Sequence, residues 1–273
     1  MVAVAAIDSH VMAPAVGATE AGVFVGALGT SAAYLLLDDE ARPLPSGIEG
    51  VARDGVIPGL WCYEAGQPAF GDVLHWFMRL FAAGAPIEES FARFDAEIRN
   101  QPFGQPALLA LDWWNGSRAP VADSLLSGLL VGLTLDTTPA DIYRALIESL
   151  CFGARNIMES LVAGSAPIKR ILFASGVSER SPLIMQILAD VLGRPVEAPQ
   201  IHHAAAIGAA IHGAVAAGVV PDFSSGARRY GAREFVRFLP SADRIPVYDR
   251  LFRQYQTLVA DQHIRCSMHG LRE

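Results

Sequence analysis

The chain has 273 residues, of which 52% are hydrophobic and 18% are charged, and its formal net charge is −7. The charged fraction lies below the roughly 25% of typical globular domains, and a net negative charge argues against binding nucleic acid. No apolar run approaches the roughly 18 residues of a membrane span, and residues 1–11 lack the basic start of a signal peptide. The three cysteines are widely separated, without metal-ligand spacing, which favours unpaired thiols in a reducing compartment. We therefore expect a cytoplasmic protein that binds neither nucleic acid nor a membrane.

The first part of the chain predicts strands that end in polar residues. Apolar runs at 2–7 and 23–28 end in Asp8 and in Gly29-Thr30-Ser31, and a third run follows at 34–37. A glycine after a strand lets the backbone approach a phosphate, whose oxygens can accept hydrogen bonds from neighbouring amides and hydroxyls. A carboxylate at a nearby strand end can take a proton from an attacking hydroxyl, as phosphoryl transfer to an alcohol requires. The layout alone favours a kinase only weakly, since Asp8 could equally be a helix N-cap or turn residue.

The rest of the chain alternates strand and helix patterns. A stretch rich in Gly and Pro at 43–59 predicts a hairpin excursion that leads into 60–63. Further strands are predicted at 108–113, 129–133 and 168–174. Helices are predicted over 67–81 and 87–98, from Thr138-Pro139, from Ser181-Pro182, and over 203–218 and 248–263. The alternation predicts an α/β layered domain, and no segment marks a linker between domains.

Several short segments together are more specific than any one of them. They read DSHVMAPA at 8–15, GTS at 29–31, YEAGQPAFGD at 63–72 and LDWWNGSR at 111–118, followed by a Gly-x-Leu-x-Gly-Leu pattern at 128–133 and Asp-Ile-x-x-Ala-Leu-Ile-Glu at 141–148. In this order and spacing the chain resembles the C-terminal half of the FGGY carbohydrate kinases, and within them the ribulokinase branch. The resemblance covers residues 1–260. We interpret Asp112, Asn115 and Arg118 as residues that form structural polar contacts rather than as catalytic residues.

The resemblance implies an actin-like ATPase domain, similar to ribonuclease H, with a mixed sheet flanked by helices. It also implies Mg²⁺ and ATP as cofactors, and transfer of the γ-phosphate to a primary hydroxyl of L-ribulose or a related ketopentose. Asp8 would be the general base. Gly29 and Thr30 could form an ordinary β-turn, but they match the family's second phosphate hairpin. The terminal phosphates would therefore contact Gly29, Thr30 and Ser31, and Mg²⁺ would be held chiefly by phosphates and waters. The sugar would be bound by Glu64 and Gln67. His10 is a further candidate for the sugar site, although a histidine in this place is more often packed or capping.

The same resemblance places adenine where the strand at 168–174 meets the helix that begins near Ser181. The family usually has Gly-Gly at the end of this strand, and here the pair reads Ser175-Gly176. A residue without a Cβ lets the backbone lie flat against a nucleotide, and serine gives up part of that freedom. Ala204 and Gly208, in the Ala-rich helix, are also expected to contact the nucleotide.

FGGY kinases are built from two actin-like domains, and the first carries an Asp-x-Gly-Thr hairpin and most of the sugar pocket. That motif does not occur in this sequence. We therefore expect residues 1–273 to be a single second domain that works with an N-terminal kinase domain, in cis or in trans. Alone it should be inactive, and its bare interdomain face should promote self-association. The alternatives are a non-catalytic nucleotide-binding or interaction domain from a truncated or split kinase, and an actin-like ATPase of another branch.

Overall fold

The computed structural model describes residues 6–101, 108–163, 168–174 and 176–272. Within these ranges the strands are β1 Val23–Leu28, β2 Ala32–Asp38, β3 Gly50–Arg53, β4 Trp61–Gln67, β5 Leu109–Leu111, β6 Leu129–Val131, β7 Arg170–Ala174, β8 Val196–Pro199 and β9 Phe235–Phe238. The helices are α1 Asp8–Val11, α2 Gly71–Phe81, α3 Ile87–Asn100, α4 Pro139–Val162, α5 Gly176–Arg180, α6 Pro182–Leu192, α7 Ala204–Ala216, α8 Phe223–Tyr230, α9 Ile245–Ala260 and α10 Gln262–Gly270. The predicted strand at 2–7 lies mostly outside the described residues.

Seven of these strands form one mixed sheet in the order β3-β4-β2-β1-β7-β8-β9. The central strand β1 pairs antiparallel with β2 and parallel with β7, and β7 runs parallel to β8. The remaining neighbours in this sheet are antiparallel, and β5 and β6 form a separate two-stranded pair. The prediction of an α/β domain with a mixed sheet flanked by helices is confirmed.

Alternation along the central strands divides the core between the two faces of the sheet. On one face, the Phe24 ring contacts the rings of Tyr34 and Phe173, and all three belong to the larger core cluster, which contains most of the buried apolar residues of α4. Residues one position away, Val25 and Leu35, point to the opposite face and join a smaller cluster. Both faces are therefore buried, as expected when helices cover each side of a sheet.

A buried polar network joins the end of β4 to the helices of the larger core. The Gln67 amide donates to Asp112 Oδ2 (2.6 Å), and the Tyr255 hydroxyl donates to Asp112 Oδ1 (2.6 Å). The Tyr34 hydroxyl donates to the Gln67 side-chain oxygen. Gly153 of α4 makes room for this network, because a Cβ there would lie 2.1 Å from both Asp112 Oδ2 and Gln67 Nε2.

Several elements differ from the sequence expectation. The helix predicted over 67–81 begins at Gly71. Gln67 is instead the last residue of β4, where it pairs with Ala32 of β2. The final helix is two helices, because Asp261 interrupts it and caps α10 by accepting from the amides of His263 and Ile264. The two short strands β8 and β9 and helix α8 were not predicted.

Candidate active site

The turn at Gly29–Ser31 connects the antiparallel strands β1 and β2, so it is a β-hairpin as the sequence predicts. The start of α2 holds it in place. The Phe70 amide donates to the Thr30 carbonyl (2.8 Å), and the Gly71 amide donates to the Gly29 carbonyl (3.0 Å). Because both carbonyls are engaged by α2, the hairpin has a fixed orientation relative to this helix.

A cleft with a cavity volume of about 620 Å³ begins at this hairpin. Gly29 and Thr30 line one end, and Gly176 and Ser181 line the region where β7 is followed by α5 and α6. The volume falls within the range typical of small-molecule sites. The structure thus brings the predicted phosphate-binding residues and the predicted adenine region into one cavity. Ser31 is exposed and is not among the lining residues, and Ser175 lies outside the described residues.

Helix α3 forms a wall of the cleft that sequence reasoning did not assign to the site. Its residues Ile87, Phe91 and Asp95 line the cavity. The Phe91 ring meets the His75 ring edge-on, with 5.5 Å between centroids, and lies 6.4 Å from the Tyr143 ring. The sequence predicts this helix from its spacing, but it carries no motif that would mark it as part of a binding site.

Asp8 is the first residue of the short helix α1 and is exposed. The extended N-cap position belongs to Ile7, and the Ser9 amide donates to Asp8 Oδ1 (2.8 Å). The carboxylate is thus presented from the first turn of a helix, and the strand predicted before it lies mostly outside the described residues. Its assignment as general base remains a prediction.

The two other residues predicted for the sugar site at this corner are in contact. His10 Nε2 lies 3.3 Å from Glu64 Oε2, and both side chains are partly exposed. Glu64 is in the middle of β4, not just before a helix, so a strand fixes its direction. The contact brings the turn that bears Asp8 against the sheet.

An ion pair adjoins Glu64 that the sequence did not reveal as part of a site. The Glu49 amide donates to the Glu64 carbonyl (3.2 Å), and Arg118 donates to Glu49 Oε2 (2.7 Å). Burial raises the pKa of the Glu49 carboxyl, opposed by Arg118 and reinforced by the negative charge of Glu64. Arg118 does form a pair, as interpreted from the sequence, but it lies beside the candidate sugar residues.

The sugar-binding assignment of Gln67 is corrected. Its side chain is 1% exposed, and its amide group donates both to Asp112 and to the Leu150 carbonyl (3.3 Å). With its oxygen accepting from Tyr34, Gln67 is a structural residue of the core. Burial raises the pKa of Asp112, while hydrogen bonds from Tyr255 and Gln67 partly offset this effect.

The structure places Ala204 and Gly208 on α7, and their contact with the nucleotide remains a prediction. Neither residue lines the cleft. A Cβ at Gly208 would lie 1.9 Å from the Val11 carbonyl oxygen, so α7 passes directly over the end of α1. Ala204 packs on the smaller core cluster. Gly208 therefore lets α7 pack against the turn that carries Asp8.

Across the described ranges, no group of three or more His, Cys, Asp or Glu side chains is arranged to hold a metal ion. Magnesium usually keeps several waters and binds through substrate phosphates with one or two carboxylates. The cleft offers such a carboxylate in Asp72, whose amide donates to the Thr30 carbonyl (3.2 Å).

None of the helices described is long and apolar enough to cross a membrane.

Comparison with known proteins places this geometry in a family. Residues 25–217 match the model of the C-terminal domain of the FGGY family of carbohydrate kinases. The chain is 37% identical over 268 residues to a ribulokinase of Bacillus licheniformis and 38% identical over 268 residues to a ribulokinase of Mycolicibacterium smegmatis. These alignments cover 94% of this chain and 48% and 47% of the relatives.

Among solved structures, a xylulose kinase from Rhodospirillum rubrum superposes with a TM-score of 0.80 at 27% identity, over 95% of this chain and 50% of that one. The chain therefore belongs to the FGGY family of carbohydrate kinases, and its fold is the actin-like ATPase fold of that family. It spans about half the length of the curated relatives it matches.

Proposed function

We propose that this chain is the second domain of a ribulokinase-like kinase that transfers the γ-phosphate of ATP to a primary hydroxyl of L-ribulose or a related ketopentose. The observation that carries the proposal is the contact of His10 with Glu64 at 3.3 Å. Glu64 pairs across the sheet with Leu35 of β2, the strand that follows the Gly29-Thr30 hairpin. The contact therefore ties the turn that bears Asp8 to the strands that carry the phosphate hairpin.

The nucleotide end of the proposed site is the cleft. Gly29 and Thr30 would contact the terminal phosphates through backbone amide and hydroxyl donors. Mg²⁺ bound to the phosphates would neutralise developing charge, and Asp72 on the cleft wall would accept from its water shell.

The sugar end of the proposed site is the corner formed by α1 and β4. Asp8 would take the proton of the primary hydroxyl as that oxygen bonds to the γ-phosphorus and the bond to ADP breaks. Glu64 would accept hydrogen bonds from other sugar hydroxyls, and His10 would hold its carboxylate in place. Phosphoryl transfer depends mainly on the positions of the reacting groups, so the nucleotide end and the sugar end of the site must be held in a fixed arrangement.

The relatives are about twice as long as this chain, which supports a requirement for an N-terminal kinase domain in cis or in trans. Ile7, next to Asp8, is 61% exposed and would lie at such an interface, where self-association of the isolated chain is also expected. The half-length match equally supports a second candidate, a non-catalytic nucleotide-binding or interaction domain from a truncated or split kinase.

A coupled ADP-release assay with L-ribulose tests the proposal on two proteins. One is the chain alone, and the other is the chain joined to the first half of the Bacillus licheniformis ribulokinase. We expect sugar-dependent ADP release only from the joined protein, because one wall of the site must come from the first domain. Robust release from the chain alone would contradict the half-site proposal. A folded joined protein that binds ADP and releases none would favour the non-catalytic candidate.

A further inference from the structure

An acidic side chain lies on the cleft wall near the region predicted to receive adenine. Asp95 of α3 lines the cavity. The Tyr143 hydroxyl donates to its Oδ1 (3.3 Å), and the Ser181 hydroxyl donates to its Oδ2 (3.5 Å). Ser181 is also the N-cap of α6 and accepts from the Ile184 amide (3.3 Å). Asp95 is thus joined to the start of α6, and each of its oxygens can accept a further hydrogen bond.

The cavity that Asp95 lines has both apolar and charged side chains. Phe91, Pro182 and Ile184 offer flat or aliphatic surface, and Arg99 and Arg180 also line it. Burial raises the pKa of the Asp95 carboxyl, and the nearby Arg99 partly opposes this. A ligand that covers this carboxylate without a donor group removes water from it at a cost, whereas a ligand with a donor group supplies a further hydrogen bond.

We propose that Asp95 accepts a hydrogen bond from the exocyclic amino group of adenine and thereby sets the base specificity of the cleft. The proposal rests on the proposed function, in which the phosphates lie at Gly29 and Thr30. A nucleotide held there can extend its base between the apolar walls toward Ser181 and Asp95. A base that lacks the amino group would desolvate the carboxylate without supplying a donor, and would bind more weakly for that reason.

Calorimetric titration of the full chain with three nucleotides tests this inference. The ligands are ADP, purine riboside 5′-diphosphate, which differs from ADP only in lacking the amino group, and 2′-deoxyADP. We expect the wild-type chain to bind ADP about tenfold or more tightly than purine riboside diphosphate, as for a hydrogen bond to a charged acceptor. In Asp95→Ala the two should bind with equal affinity. Glu89→Ala removes the same charge from an exposed position of α3 outside the cleft and should keep the wild-type discrimination.

The outcomes distinguish a failure of the role given to Asp95 from a failure of the proposed function. If wild-type chain binds no ADP, the nucleotide site and the role of Asp95 both fall. If ADP binds but the amino group makes no difference, or if Asp95→Ala still discriminates, only the role of Asp95 falls. A loss of affinity for 2′-deoxyADP in wild type that disappears in Asp95→Ala would assign the carboxylate to the ribose and overturn the proposal. Because every comparison is made within one protein, partial unfolding of a variant cannot imitate the expected change in ratio.

Discussion

Replacing Gly208 with alanine should displace the turn that carries Asp8 without altering the nucleotide cleft. The new Cβ would lie 1.9 Å from the Val11 carbonyl oxygen and 2.9 Å from the Met12 Cα, whereas real Cβ atoms essentially never come within 3.0 Å of such atoms. Both neighbours are backbone atoms, so no side chain can rotate out of the way. Helices α7 and α1 must therefore separate by about 1 Å.

Two magnitudes follow from this displacement. Overpacking of this kind typically lowers the free energy of unfolding by about 1–3 kcal/mol. A misplacement of about 1 Å in a catalytic group can reduce turnover roughly 10²-fold. We therefore expect the joined two-domain kinase to lose about two orders of magnitude in kcat. The dissociation constant for ADP should be unchanged, because Gly208 does not line the cleft.

The same helix supplies a matched control. A Cβ at Gly213 would meet no atom within 4 Å. Gly213→Ala should therefore be neutral or stabilise the chain by about 0.5–1 kcal/mol, the usual preference for alanine in a helix. Urea unfolding, calorimetry with ADP and the coupled assay measure the three quantities. If Gly208→Ala has the same free energy of unfolding and the same kcat as Gly213→Ala, then α7 does not position the Asp8 turn and the reasoning is refuted.

Three further changes test other parts of the site. Asp8→Asn in the joined protein should lower kcat by about 10²- to 10⁴-fold with ADP binding intact, and a mutant that keeps a third of wild-type turnover in the coupled assay would remove Asp8 as general base. Glu64→Ala should raise the KM for the sugar more than it lowers kcat, whereas an unchanged KM for every ketopentose tested would exclude Glu64 from the pocket. Gln67→Leu should cost about 1–3 kcal/mol in urea unfolding, since Asp112 loses a buried donor. The pKa of Asp112 is raised in the folded state, so the free energy of unfolding falls as the pH rises through that pKa. Gln67→Leu raises this pKa further, and the loss of unfolding free energy relative to wild type should therefore grow with pH. A deficit independent of pH would contradict the role given to Asp112.

Local signals in the sequence were sufficient to predict the elements that begin or end with a specific residue type. The hairpin at Gly29-Thr30 and the helix that starts at Ser181-Pro182 were both predicted, and Ser181 does cap α6. The shorter strands β5 and β6 are wholly apolar, whereas the strands β8 and β9 were missed because Glu197 and Arg237 interrupt their apolar residues. Their pairing at the edge of the sheet depends on partners far along the chain.

The errors at the site also concern long-range partners. The sequence indicates that a small residue at Gly208 allows close approach, but the approaching element is α1, which the sequence cannot identify. Gln67 follows Glu64 in one motif, yet alternation in β4 directs Gln67 into the core and leaves Glu64 beside His10. The α3 wall carries no motif, so Asp95 could be found only once the cleft was visible.

The two ends of the proposed site are supported in different ways, and this predicts where the protein is sensitive. The nucleotide end is formed by the hairpin, which α2 fixes through backbone hydrogen bonds, and by helices that pack on the larger core. The sugar end depends on a four-residue helix, held by the close approach of α7 and by the contact of His10 with Glu64. Asp8 is exposed at the first turn of this helix, so we expect substitutions around α1 to affect sugar phosphorylation before they affect nucleotide binding. In the proposed two-domain kinase, a first domain that covers this corner would add contacts to the exposed turn that carries Asp8.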